Sequence, residues 1–235
     1  MACQDGGMTH RLTPAQAWSQ LLAGNARFVR GEMEHPSQGV DRRSELTAQQ
    51  DPFAVIFGCS DSRVAAEIIF DQGLGDLFVV RTAGHVVDTT VIGSIEYGVQ
   101  ILHAPLVVVL GHDSCGAVGA AAEALTTGRM PSGFVRAVVD RVIPSIVHLP
   151  RTSDQGAAED GDGLAPWADG VRPMVVPTPE VLGREHVRHT VRMLQSYSAG
   201  LSGAVAEGRC AIVGLEYALL DGRVRMVEFA GGLEV

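Results

Sequence analysis

The chain has 235 residues, 46% of them hydrophobic, which suffices for one α/β domain with its own core and excludes a disordered tail. Its net charge of −9 argues against a nucleic-acid surface, which needs clustered Lys and Arg. No apolar run approaches the roughly 18–20 residues of a membrane span, and the polar stretch from Met1 to Arg11 lacks the core of a secretory signal, so the expected location is the cytoplasm, with no membrane partner.

In chain order, residues 1–10 read as a flexible N-terminus. Thr13-Pro14-Ala15-Gln16 then opens a helix: Thr13 caps, Pro14 suits the first turn, and Gln16 completes a capping box. Trp18, Leu21, Leu22, Asn25, Phe28 and Val29 follow at helical spacing. The polar segment after this helix makes no core of its own, so the helix is expected to extend onto a partner subunit. Ala54–Gly58, Leu77–Arg81 and Leu106–Leu110 read as strands. The first and third are continuous apolar runs, as in parallel strands buried on both faces. Helical patterns at Ala65–Phe70 and Asp88–His103 separate them, which predicts a mostly parallel sheet with right-handed crossovers.

Cys115–Thr127 and Gly133–His148 read as further helices, the second kinked or ended by Pro144. Residues 150–177, rich in Gly, Asp and Ala, read as a flexible insertion. Glu180–Glu207 returns to helix. Cys210–Leu215 and Val224–Phe229 read as strands around an Asp221-Gly222 turn. The whole chain, 1–235, is expected to be a single α/β domain: a central mostly parallel sheet flanked by helices.

Chemistry concentrates at two strand ends. The first strand runs into "FGCSDSRV", with Cys59, Ser60, Asp61, Ser62 and Arg63; the third runs into "GHDSCG", with His112, Asp113, Ser114 and Cys115. In an open α/β sheet, ligands bind outside the carboxyl ends of the strands. A strand order of 2-1-3 makes the first and third strands neighbours and brings Cys59 to His112 and Cys115. Two thiolates and an imidazole are a donor set that zinc takes, and Cys115 would start a helix whose dipole favours a thiolate. Three protein ligands leave a fourth position. Asp61 either fills it or accepts a hydrogen bond from a water there; an Asp61–Arg63 pair would keep the carboxylate off the metal. Cys3 and Cys210 read as small non-site residues. The pair His186 and His189, spaced i, i+3 on a polar helix, reads as a solvated face. The glycines at 111, 116 and 119 form no phosphate-binding fingerprint.

The two motifs, "CSDSR" at 59–63 and "GHDSCG" at 111–116, with "DLFVVRTAGH" and "GSIEYGV" between them, resemble the β-class carbonic anhydrases. The resemblance covers roughly residues 11–149 and 178–229 and points to a bacterial member of the plant-type branch. It implies a zinc lyase with one Zn2+ per chain on Cys59, His112 and Cys115, and Asp61–Arg63 as the catalytic dyad. The implied reaction is the reversible hydration of carbon dioxide to bicarbonate and a proton, by attack of zinc-bound hydroxide on CO2. The resemblance also implies a homodimer with a swapped N-terminal helix, or a homotetramer. Gln50, Phe78 and Tyr97 stand where that branch lines its carbon dioxide pocket. Of the residues with which the other branch binds bicarbonate away from zinc, Arg81 and Tyr217 match, but Ile56 replaces the tryptophan. His85, after the second strand, is a candidate proton relay, with a structural role as its alternative. The rival readings are carbon disulfide hydrolysis on the same fold, a non-catalytic zinc or bicarbonate sensor, and a dithiol redox enzyme, which the lack of CxxC disfavours.

Overall fold

The structure, a computed structural model, describes residues 11–148 and 177–233. The expectations for residues 1–10 and for the insertion as far as residue 176, and the non-site reading of Cys3, lie outside the described residues. Five strands form one sheet in the order β2-β1-β3-β4-β5: β1 Ala54–Cys59, β2 Leu77–Thr82, β3 Leu106–His112, β4 Ala211–Tyr217 and β5 Val224–Ala230. The first four are parallel; β5 turns back antiparallel along β4. The expected 2-1-3 neighbourhood is therefore present. β1 and β3 are buried along their whole length, which is why they read as unbroken apolar runs.

Helices cover both faces: α1 Pro14–Arg30, α2 Val40–Glu45, α3 Ala66–Ile69, α4 Thr89–Glu96, α5 Gly116–Thr127, α6 Val135–Val142, α7 Pro179–Tyr197 and α8 Ala199–Ala206. Ile56, Val108 and Val213 point to a core shared with α1 and α3. Val55, Val107 and Ile212 point to the other, with α4, α7 and α8. Among the described residues no helix is long and apolar enough to cross a membrane.

Several local expectations change. α1 begins as read, with Thr13 and Gln16 closing a capping box. Its apolar stripe, however, packs on its own chain: Ala17, Trp18 and Leu21 join Ile69 and Phe70 in one core. Asn25 fixes the helix further, donating to the carbonyls of Ile69 and Gly222 and accepting from the Val224 N–H. Leu22 of the same stripe stays exposed on the single chain. The expected helix 88–103 is α4, capped by Asp88, followed by a wider π turn over Tyr97–Ile101. Pro144 does end an α-helix; the chain after α6 tightens to a 3-10 helix over Ile143–His148. The single helix expected at 180–207 is two, because Ser198 leaves helical geometry and caps α8 through the Leu201 N–H.

Candidate metal centre

β1 and β3 each run into their motif. Cys59 is the last residue of β1 and His112 the last of β3. The register pairs Gly58 with Leu110, so Cys59 lies level with Gly111 and beside His112. A tight turn follows β3, with Ser114 in left-handed geometry (φ 50°), and delivers Cys115 to the N-cap of α5. The sulfurs of Cys59 and Cys115 and a ring nitrogen of His112 all lie within 4.8 Å of one another, and all three residues are buried.

The donor set fits a metal ion. His112 Nδ1 sits 2.7 Å from the Asp113 carbonyl, which only accepts, so Nδ1 carries the proton in the neutral ring. Nε2 is then the lone-pair nitrogen; it is buried and has no hydrogen-bond partner. A buried, unpartnered lone pair facing two thiols is costly unless something binds it. Cys59 is held well toward the thiolate. A hydrogen bond from the Cys115 thiol is the main cause, and the Gly84 N–H adds to it against burial. The Cys115 thiol moves up, because it shares that hydrogen bond and is desolvated. The two sulfurs thus share one proton, which a bound cation would displace.

Asp61 and Arg63 form the outer wall. Arg63 donates from Nε and its own N–H to Asp61 Oδ1, both at 2.9 Å, and from Nη2 to Oδ2 at 2.7 Å. This clamp holds the Asp61 carboxyl well below the usual carboxylate range. Oδ2 nevertheless stays 3.9 Å from His112 Nε2, so the carboxylate faces the donors while tied to the guanidinium. Arg81 pins the same loop from β2, donating to the carbonyls of Cys59 and Asp61 at 2.9 and 2.7 Å. A narrow cleft floored by His112, Ser114 and Cys115 and walled by Glu180 and Glu216 opens beside the donors.

The other expected site residues fall elsewhere. Phe78 and Tyr97 stand ring to ring, centroids 6.0 Å apart, with Tyr97 half exposed. Gln50 is exposed in the loop before β1. Arg81 and Tyr217 are on β2 and β4, with β1 and β3 between them, so the structure does not bring them together. Ile56 is fully buried in the sheet. His85 is 2% exposed, and neither ring nitrogen has a partner. Burial, then the rings of His186 and His112, hold its pKa well below the ordinary histidine value. A ring sealed from water, with no hydrogen-bond partner, has no neighbour to hand a proton to, and this geometry favours the structural alternative over the relay.

His186 overturns the solvated-face reading. It is 1% exposed, its ring 4.4 Å from that of His85, with Ser145 and the Gly84 carbonyl on its two nitrogens. Sequence reasoning missed Gly84, Ser145 and His186. The available signal was Gly111 and Gly214, where a Cβ would meet Val187 at 2.4 and 2.8 Å: helix α7 lies hard against the sheet there.

A protein-family profile described as carbonic anhydrase matches residues 54–224. The carbonic anhydrase of Mycolicibacterium smegmatis is 50% identical over 220 residues, 94% of this chain and 96% of that protein. Among solved structures, the Coccomyxa β-carbonic anhydrase in complex with acetazolamide matches with a TM-score of 0.62 at 22% identity, covering 81% of this chain and 79% of that one. One of two tetrameric β-carbonic anhydrases from Sordaria macrospora matches with a TM-score of 0.61 at 22% identity, covering 78% of this chain and 84% of that one.

Proposed function

Because this chain belongs to the β-class carbonic anhydrases, enzymes whose general reaction is the hydration of carbon dioxide, we propose that Cys59, His112 and Cys115 hold one zinc ion and that Asp61 and Arg63 serve the reaction beside it. The observation that carries this reading is the convergence of three buried donor atoms within 4.8 Å, with a clamped carboxylate facing them. Bound zinc supplies one thing the side chains lack: it makes a water acidic enough to act as a nucleophile near neutral pH.

The chain's own residues do the rest. Asp61 accepts a hydrogen bond at Oδ2 and orients the attacking oxygen toward carbon. Arg63 keeps that carboxylate ionised and at a fixed distance, so it serves as an acceptor instead of a fourth ligand. Arg81 holds the backbone of the 59–61 loop, which sets where Asp61 stands. Phe78 and Tyr97 offer an apolar wall suited to an apolar gas. Gln50 would donate to the substrate oxygen that gains charge if a partner subunit brings it in. The exposure of Tyr97 and Gln50 in the single chain suits a pocket completed by assembly. We read the whole chain as one catalytic domain working as a cytoplasmic homodimer or homotetramer on CO2 and bicarbonate. Metal-ligating thiols suit a reducing compartment, and the acidic surface suits no nucleic acid.

The test is stopped-flow CO2 hydration with metal analysis on the same sample. Wild type should carry one zinc per chain and speed hydration, and a zinc-binding anion should stop it. Cys59→Ala should lose metal and hydration together. A folded, zinc-loaded wild type that leaves hydration at the background rate overturns the reading.

A further inference from the structure

Behind the metal donors lies a neutral, fully buried chain of hydrogen bonds. Gly84 donates its N–H to Cys59 Sγ at 3.3 Å. It can do so because residues 83–85 turn back sharply, with Gly84 at φ 64° and His85 at φ 40°. Left-handed geometry at a non-glycine such as His85 is strained and persists only where the surroundings impose it. The turn is wedged against α5: a Cβ on Gly84 would lie 2.7 Å from that of Ala117. Opposite, His186 Nε2 meets the Gly84 carbonyl at 2.9 Å, and Ser145 Oγ meets His186 Nδ1 at 2.7 Å.

The protons on this chain follow from its acceptors. A carbonyl only accepts, so Nε2 carries the hydrogen. Burial holds the His186 pKa down to about 4, so the ring is neutral and Nδ1 is a lone pair that accepts from the Ser145 hydroxyl. The direction is therefore Ser145 to His186 to the Gly84 carbonyl, while the N–H of the same glycine points at sulfur. His85 lies between His186 and the other ligand strand: its ring is 4.4 Å from that of His186, and its Cε1 is 3.4 Å from where a Cβ on Gly111 would sit, next to His112.

We propose that His186 is a positioning residue of the metal centre: fixed as one tautomer by Ser145, it ties down the Gly84 carbonyl and so holds the strained turn whose N–H steadies the Cys59 sulfur. The inference rests on the zinc reading above. Groups that orient metal ligands from behind tune affinity although they never touch the ion. A buried histidine that served only the core would stabilise the fold and leave the metal indifferent to its donor.

The experiment uses the full chain and three variants. Zinc affinity is measured by chelator competition, the thiolate-to-metal absorption band is recorded after cobalt(II) substitution, and apo-protein melting is followed as a fold control. His186→Leu removes the donor and should weaken zinc by ~10–100-fold and shift the cobalt band. His186→Gln keeps an N–H donor for the Gly84 carbonyl and should stay near wild type in both. Ser145→Ala frees the tautomer and should fall between them. The proposal is overturned if folded His186→Leu binds zinc like wild type with an unchanged band, or if folded His186→Gln loses as much as His186→Leu. Should His186→Leu fail to fold, Ser145→Ala decides: weakened zinc with a shifted band supports the proposal, and wild-type affinity with an unchanged band ends it. A wild type that takes up no zinc would instead sink the underlying reading, so the two failures are distinguishable.

Discussion

On its solvent side the centre is made by five consecutive residues, 59–63, and its working parts are charges: Asp61 ionised, Arg63 doubly hydrogen-bonded to it and half exposed. On its buried side the parts are neutral and come from far apart, with His186 reaching Gly84 across 102 residues of sequence. The front is local and screened by water, so it contributes chemistry with little cooperative stability. The back is dry, single-valued in its hydrogen bonds and wedged against α5, so it contributes shape. Damage to the front should therefore appear in turnover, and damage to the back in stability and metal affinity.

The sharpest division comes from Asp61→Asn. The amide keeps an acceptor oxygen for Arg63 but loses the charge that, on the proposed reading, orients the nucleophile. Zinc content and melting temperature should stay near wild type while turnover falls ~10²–10³-fold, as for loss of a positioned acid–base or electrostatic group. Stopped-flow hydration beside metal analysis reads both. Full activity would place the working acceptor elsewhere, and a collapse in stability would mean that the front carries structure after all.

Gly84→Ala strikes the other side. Alanine must adopt φ 64° and bring its Cβ within 2.7 Å of Ala117. Left-handed strain and overpacking together should cost about 3 kcal/mol. Urea unfolding of the zinc-loaded protein measures the loss. A wild-type midpoint would show that the turn relaxes freely and that nothing behind Cys59 is wedged.

The same division governs how much could be read from sequence. β1 and β3 announce themselves because their apolar runs stop where the chemistry begins, and the spacing of Cys59, Asp61 and Arg63 is set by one short loop. The sheet order and the three donors were legible for that reason. Their backing was not. His186 and His189 sit among Glu185, Arg188 and Arg192, so the helix looks solvated; in the fold Glu185 is itself buried and paired with both arginines. Only the close approach allowed by Gly111 and Gly214 turns that face inward. The packing of α1 on its own chain was hidden for a related reason. Ile69, the last residue of four-residue α3, and Phe70, just after it, form too short a segment to name the face it packs on.

The smallest expected effect concerns acid. Burial depresses His186 to about 4, against about 6.5 in the unfolded chain, and the pKa of neighbouring His85 moves the same way. Between those values the unfolded state binds a proton that the folded state refuses. Unfolding then takes up protons, and stability falls as pH drops below about 6.5, the reverse of a histidine that gains an anionic partner. His186 alone should remove about 2 kcal/mol between pH 7 and pH 5. Asp61 adds nothing in that window, because its carboxyl stays ionised throughout. The measurement is urea unfolding at both pH values for wild type and His186→Gln in the same excess of zinc, which cancels the metal's own pH dependence. Wild type should lose more than the variant by roughly that amount. Equal losses would mean that the ring is hydrated, and a hydrated ring could not hold one tautomer against the Gly84 carbonyl.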